Sequence, residues 1–167
     1  MQPRSLPCTS AAFAELSEEF LHLGKSLRFR AQGASMRPLV RNGDILMVKP
    51  VDAHQVRIGD VLLCNQQAVS VVVHRVIRKR SNAKGLQFLV QGDQAVQADG
   101  WIPQDQVYGV LAAVERDGKR LTMDGLRMRI LSRLAVVRSR WHLEHSKFSN
   151  HIVRWAKKLA IFNVFLS

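Results

Sequence analysis

The chain has 167 residues, 47% of them hydrophobic, which is enough for one packed domain with an appendage and too apolar for intrinsic disorder. Its 25 Lys and Arg against 13 Asp and Glu leave a formal charge of +12, which favours a polyanionic partner, nucleic acid or anionic lipid. Two cysteines, Cys8 and Cys64, are too few for a disulfide framework and lack metal-ligand spacing, so no metal and no cofactor is implied.

The opening stretch, MQPRSLPCTSAAFAELSEEF, contains acids and no continuous apolar core, so it does not read as a signal peptide. No run of about 18 apolar residues predicts a membrane span. Residues 1–28 form a first unit in which 9–28 read as an amphipathic helix. Phe13, Leu16, Phe20 and Leu23 recur at helical spacing, and Gly24 is a natural stop.

From Phe29 the period changes. Six β-rich runs follow: SLRFRAQG, ILMVKPV, VLLCN, AVSVVVHRVI, LQFLVQG and VYGVLAAVE. Turn signals separate them at 42–44, 58–60, 82–85 and 91–93. This predicts a mostly β (α+β) fold, with residues 29–124 as a coiled antiparallel sheet or partial barrel. ERDGKRLTMDG reads as a further hairpin or an exit from the domain.

Residues 125–167 read as a basic amphipathic helical tail. Leu126, Ile130, Leu134 and Val137 share one side of LRMRILSRLAVVRSR, with arginines opposite. Residues 126–167 hold nine Lys and Arg against the single acid Glu144. Two readings stay open for the tail. It lies on an anionic membrane surface, with Trp141, Trp155, Phe162 and Phe165 at the acyl boundary, or its apolar face packs on the β domain.

The chemistry centres on Ser35, in GASMRPLVRNGDILMV. A serine hydroxyl is nearly inert at neutral pH unless a base sits beside it, itself held by a third group. His74 follows a run of valines, shares its strand face with Val72 and Val76, and is suited to proton transfer near neutral pH. Asp93 and Asp99, in QGDQAVQADG, are the carboxylates able to steady it. Each of these residues alone also has an ordinary structural reading: a capping serine, a half-buried histidine, two turn aspartates.

In combination, GASMRPLVRNGDILMV, RIGDVLLC, VVVHRVI and FLVQGDQAVQAD resemble the type I signal peptidases. The likeness is to the archaeal and endoplasmic-reticulum branch, which uses Ser and His where the common bacterial branch uses Ser and Lys. It covers roughly Gly33 to Val110. The resemblance implies a serine endopeptidase on the fold shared with LexA-like self-cleaving repressors. It places Ser35 as nucleophile, His74 as general base, Asp99 as the orienting carboxylate and Asp93 as a second one, with Gly33 and Met36 on the substrate side. The implied substrate is the leader or signal peptide of a precursor, bound as an extended strand with small side chains next to the cut.

One feature departs from that pattern. Most of the family carries an N-terminal membrane span, whereas the helix here contains Glu15, Glu18 and Glu19. This predicts a peripheral membrane or cytoplasmic protein. A LexA-like nucleic-acid-associated protein and an inactive peptide-binding module are the alternatives, although no zinc spacing or RNA-binding aromatic pattern is present.

Overall fold

Turn residues cut the middle of the chain into strands of a single curled antiparallel sheet. The computed structural model describes residues 10–66, 70–83, 85–125 and 128–141. Helix α1 (Ser10–His22) leads to β1 (Leu27–Arg30), β2 (Ile45–Lys49), β3 (Val61–Gln66), β4 (Ser70–Asn82), β5 (Gly85–Gln91), β6 (Gly100–Pro103), β7 (Val107–Arg116) and β8 (Lys119–Thr122). A second helix, α2, covers 128–141. The order across the sheet is β1-β2-β7-β3-β4-β5-β6, and β8 pairs with β7. The expected mostly β half-barrel is therefore present. The four-residue β6 is an addition to the six runs read from sequence, and β8, equally short, pairs with β7 as the further hairpin read in ERDGKRLTMDG.

The sheet buries two apolar clusters. One gathers Leu46, Val48, Leu63, Leu111 and Val114 with Leu21 of α1. The other gathers Leu62, Cys64, Val76, Phe88, Val90 and Ile102. Alternation along β4 explains the division: Val72 and Val76 join the second cluster, while Val71 and Val73 pack against the first. Gly109 permits the tightest approach. A Cβ there would sit 2.5 Å from the Lys49 carbonyl oxygen and 2.8 Å from Val48 Cγ1.

Helix α1 is shorter than the 9–28 read from sequence. Gly24, at φ +75°, lets Lys25 N–H reach the Phe20 carbonyl and Gly24 N–H reach that of Leu21, a Schellman close. Its docked face also differs from the expected one. Ser17 and Leu21 are buried, and Phe13 meets Phe29 edge-on at 4.9 Å. Leu16, Phe20 and Leu23 are exposed. The buried Ser17 hydroxyl donates to the Phe13 carbonyl at 2.6 Å, which lets a polar residue occupy the inner face.

Helix α2 is rotated in the same sense. Met128, Val136 and Ser139 are buried, whereas Ile130, Leu134 and Val137 face solvent. Of the two readings of the tail, packing of this stripe on the β domain does not hold for the described part. Leu126, Trp155, Phe162 and Phe165 lie outside the described residues. Among the described residues, no helix is long and apolar enough to cross a membrane.

Candidate active site

Ser35 sits on the loop joining β1 to β2. The neck of that loop is closed by backbone bonds from Ala31 N–H to the Asp44 carbonyl (2.7 Å) and from Gly43 N–H to the Ala31 carbonyl (2.9 Å). Asp44, buried, accepts from Arg41 N–H at 2.8 Å and from Arg116 Nε and Nη2 at 2.9 and 2.6 Å. The Arg116 guanidinium holds the Asp44 carboxyl below the ordinary carboxylate range, against the opposing push of burial. Arg116 also donates to the Leu39 carbonyl at 3.0 Å, so a side chain from β7 fastens the serine loop to the sheet.

At the tip of the loop, Ser35 is exposed while its neighbour Met36 is only 3% exposed and packs in the first apolar cluster. The expectation that Met36 lies on the substrate side meets a different placement: the side chain is a buried pin that turns the serine outward. Gly33 has φ +94° and donates its N–H to Asn42 Oδ1 at 3.1 Å. A Cβ at Gly33 would meet nothing within 4 Å, so glycine serves the backbone angle there rather than clearance.

His74 projects from β4 toward that tip. Its Nε2 lies 3.1 Å from Ser35 Oγ. Its Nδ1 lies 2.6 Å from Asp99 Oδ2, with side chains 11% and 18% exposed. Those two atoms are buried and have no other hydrogen-bonding partner among the described residues. A carboxylate on Nδ1 favours the tautomer whose Nε2 lone pair faces the hydroxyl. Asp99 is set just before β6 by its N–H, which donates to the Val90 carbonyl at 3.0 Å.

Asp93 goes elsewhere. Arg75, next to His74 but on the opposite strand face, holds Asp93 Oδ1 through Nε at 2.7 Å and Oδ2 through Nη2 at 2.8 Å. Arg75 Nη1 also donates to the Gly59 carbonyl and to Ser132 Oγ of α2, both at 2.9 Å. Arg138 of α2 donates to the Asp93 carbonyl. The structure thus brings Ser35, His74 and Asp99 together, and it assigns Asp93 to a buried brace between β4, the 92–99 loop and α2.

Two contributors were not singled out from sequence. Gly92 lies against the serine–histidine pair: a Cβ there would fall 3.0 Å from the Ser35 carbonyl oxygen, 3.1 Å from Ser35 Cβ and 3.2 Å from His74 Nε2. Gln94 bonds the serine loop twice, N–H to the Ser35 carbonyl at 2.8 Å and Nε2 to the Arg37 carbonyl at 3.0 Å. The Q-G-D-Q run was the available signal, read only as a turn. Beneath the site, burial and then the Asp99 charge push the Cys64 thiol up to about 12. No cluster of His, Cys, Asp and Glu suited to a metal is present among the described residues.

Comparison with known proteins gives the same direction. Residues 9–88 match the family model described as Peptidase S24-like. Over 77 residues the chain is 39% identical to the signal peptidase complex catalytic subunit SEC11 of Debaryomyces hansenii. Both are likenesses over part of the chain, the family match covering just under half of it. The SEC11 match covers 44% of this chain and 46% of the relative, so the chain spans about half of that relative's length. No solved structure matches it. The family match includes Ser35 and His74 and ends before either aspartate, so the places of Asp93 and Asp99 rest on geometry.

Proposed function

We propose that this chain is a serine endopeptidase that removes a leader or signal peptide from a precursor, with residues 29–124 as its catalytic unit. The observation that carries the reading is the continuous line Ser35 Oγ, His74 Nε2, His74 Nδ1, Asp99 Oδ2, spaced at 3.1 and 2.6 Å across its two contacts. In the proposed reaction His74 takes the Ser35 proton as Oγ attacks the scissile carbonyl. Asp99 holds the ring and stabilises the imidazolium. His74 then gives the proton to the departing amine, leaving an acyl-enzyme. Water, deprotonated by the same imidazole, hydrolyses that ester and restores Ser35.

The Ser35 backbone N–H is the proposed oxyanion donor, acting where charge develops in the transition state. Asp93 is proposed as a positioning carboxylate, through Arg75, rather than as His74's partner. The Asp44–Arg116 clamp and the Met36 pin hold the loop so that the nucleophile meets the base without a search for geometry.

The test compares protein N-termini by mass spectrometry in cells making the native chain, Ser35→Ala or His74→Ala. One or more precursors should keep their leader in both variants, with thermal unfolding of the purified proteins unchanged. Processing that survives Ser35→Ala would reject the assignment.

A further inference from the structure

Helix α2 carries an apolar stripe on the side away from the sheet. Ile130, Leu131, Leu134, Val137 and Trp141 are between 52% and 63% exposed. At the helical period of 100° per residue, Ile130, Leu134, Val137 and Trp141 fall within an arc of roughly 60°. The opposite face is fully used: Met128, Val136 and Ser139 are buried, Ser132 accepts from Arg75, and Arg140 Nε and Nη2 donate to the Ile77 carbonyl at 3.1 and 3.0 Å. The helix is therefore fixed to the sheet by one face while it presents another that ordinarily would be covered.

The flanks of the stripe indicate what covers it. Arg129 and Arg133 are exposed along one edge, while Arg138, on the other, is engaged with the Asp93 carbonyl. We propose that this face of α2 docks on an anionic lipid surface, with the stripe in the acyl boundary and the arginines among the headgroups. An apolar strip edged by cations is the form that interfacial helices take, because long arginine stems lie along the hydrocarbon while their heads reach anionic groups. Charge disfavours the other occupants. A second copy would bring Arg129 and Arg133 against their own counterparts. The chain beyond 141 is itself cationic, with Lys147, Arg154, Lys157 and Lys158 against Glu144. A nucleic acid would leave the apolar strip unused.

The placement also suits the site. Leu134 lines a shallow cavity with Pro38, Asp93, Ala135 and Arg138, so the stripe opens beside the loop that carries Ser35. The docking does not depend on hydrolysis, and its failure is separable from failure of the peptidase reading.

The experiment is sedimentation of the full chain with phosphatidylcholine vesicles, with or without phosphatidylglycerol. The native chain should pellet with the anionic vesicles and stay in solution with the neutral ones, and Ser35→Ala should behave identically. Ile130→Glu with Val137→Glu, both far from the catalytic residues, should lower the apparent affinity at least about tenfold, since charge on the buried face of an interfacial helix opposes insertion. Arg129→Gln and Arg133→Gln should each lower it about fivefold, at roughly 1 kcal/mol per cation. Native pelleting by the glutamate variant, or equal pelleting on neutral vesicles, overturns the proposal. So does a native dimer in solution that Ile130→Glu dissolves, which would make the face a contact between copies.

Discussion

Arg75 and Asp93 form a two-pronged ion pair, Nε to Oδ1 at 2.7 Å and Nη2 to Oδ2 at 2.8 Å, with side chains only 3% and 4% exposed. The adjacent His74 contacts the other aspartate, Asp99. Neighbouring side chains on one strand thus separate a brace from a proton relay. Asp93→Ala leaves a buried guanidinium without its counter-charge and should cost about 3–5 kcal/mol of stability. Asp99→Asn should leave the urea midpoint close to native and lower turnover about 10²–10⁴-fold by removing the support of the base. The pair of variants is read by urea unfolding and by cleavage of the same precursor. The reverse ranking would exchange the roles of the two aspartates.

Gly92→Ala tests the tightness of the catalytic pair. The added methyl would meet both Ser35 and His74 Nε2 at 3.0–3.2 Å, so one of them must move. We expect a folded protein with a near-native unfolding temperature and cleavage reduced at least about tenfold, as misplacement by a fraction of an ångström weakens a proton transfer. Full activity in Gly92→Ala would show that the pair has slack.

Cys64 should be chemically silent in the native state. Its thiol is buried in the second apolar cluster and pushed up to about 12, so almost no thiolate exists near neutral pH. In a Cys8→Ser background, iodoacetamide at pH 8 should leave Cys64 unmodified until urea is added. Labelling of the folded protein at the rate of the unfolded one would contradict the packing beneath the site.

Acid should weaken the serine loop through Asp44. Arg116 keeps that carboxyl below its ordinary value in the folded chain, so folding favours the ionised form. The contribution is complete above the unfolded carboxylate value of about 4 and fades as pH falls through the lower folded value. The native chain should therefore lose stability as pH drops below about 4, and Asp44→Asn, less stable at neutral pH, should show a shallower loss over the same window. Parallel curves for the two proteins would dissociate the loop from this pair.

The sheet was legible because its turns are marked by glycine and its strands by valine, whereas Ser35 and His74 became legible only in combination, through the order of the motifs around them. Which aspartate meets His74 was not legible from the residues themselves, since Asp93 and Asp99 share one loop; the resemblance pointed to Asp99, and the Arg75 pair accounts for Asp93. Both helices misled in one way. Their docked faces carry Ser17, Ser132 and Ser139, small polar residues that admit close approach, while larger apolar residues point outward. A reading that assigns the inner face by hydrophobicity selects the wrong side of such a helix. The short β6 carries too few residues to establish a period of two.

The strand order has a consequence for how the proposed relay is assembled. Within the sheet, the strands flanking Ser35 reach the strand bearing His74 by way of β7, which pairs with β2 on one side and β3 on the other. Ser35 and His74 both precede Val107–Arg116 in the chain, and that strand is the one that ties their parts of the sheet together. A chain ending before Val107 lacks the strand that joins the two halves of the sheet, so the proposed relay has its full support only once β7 is in place.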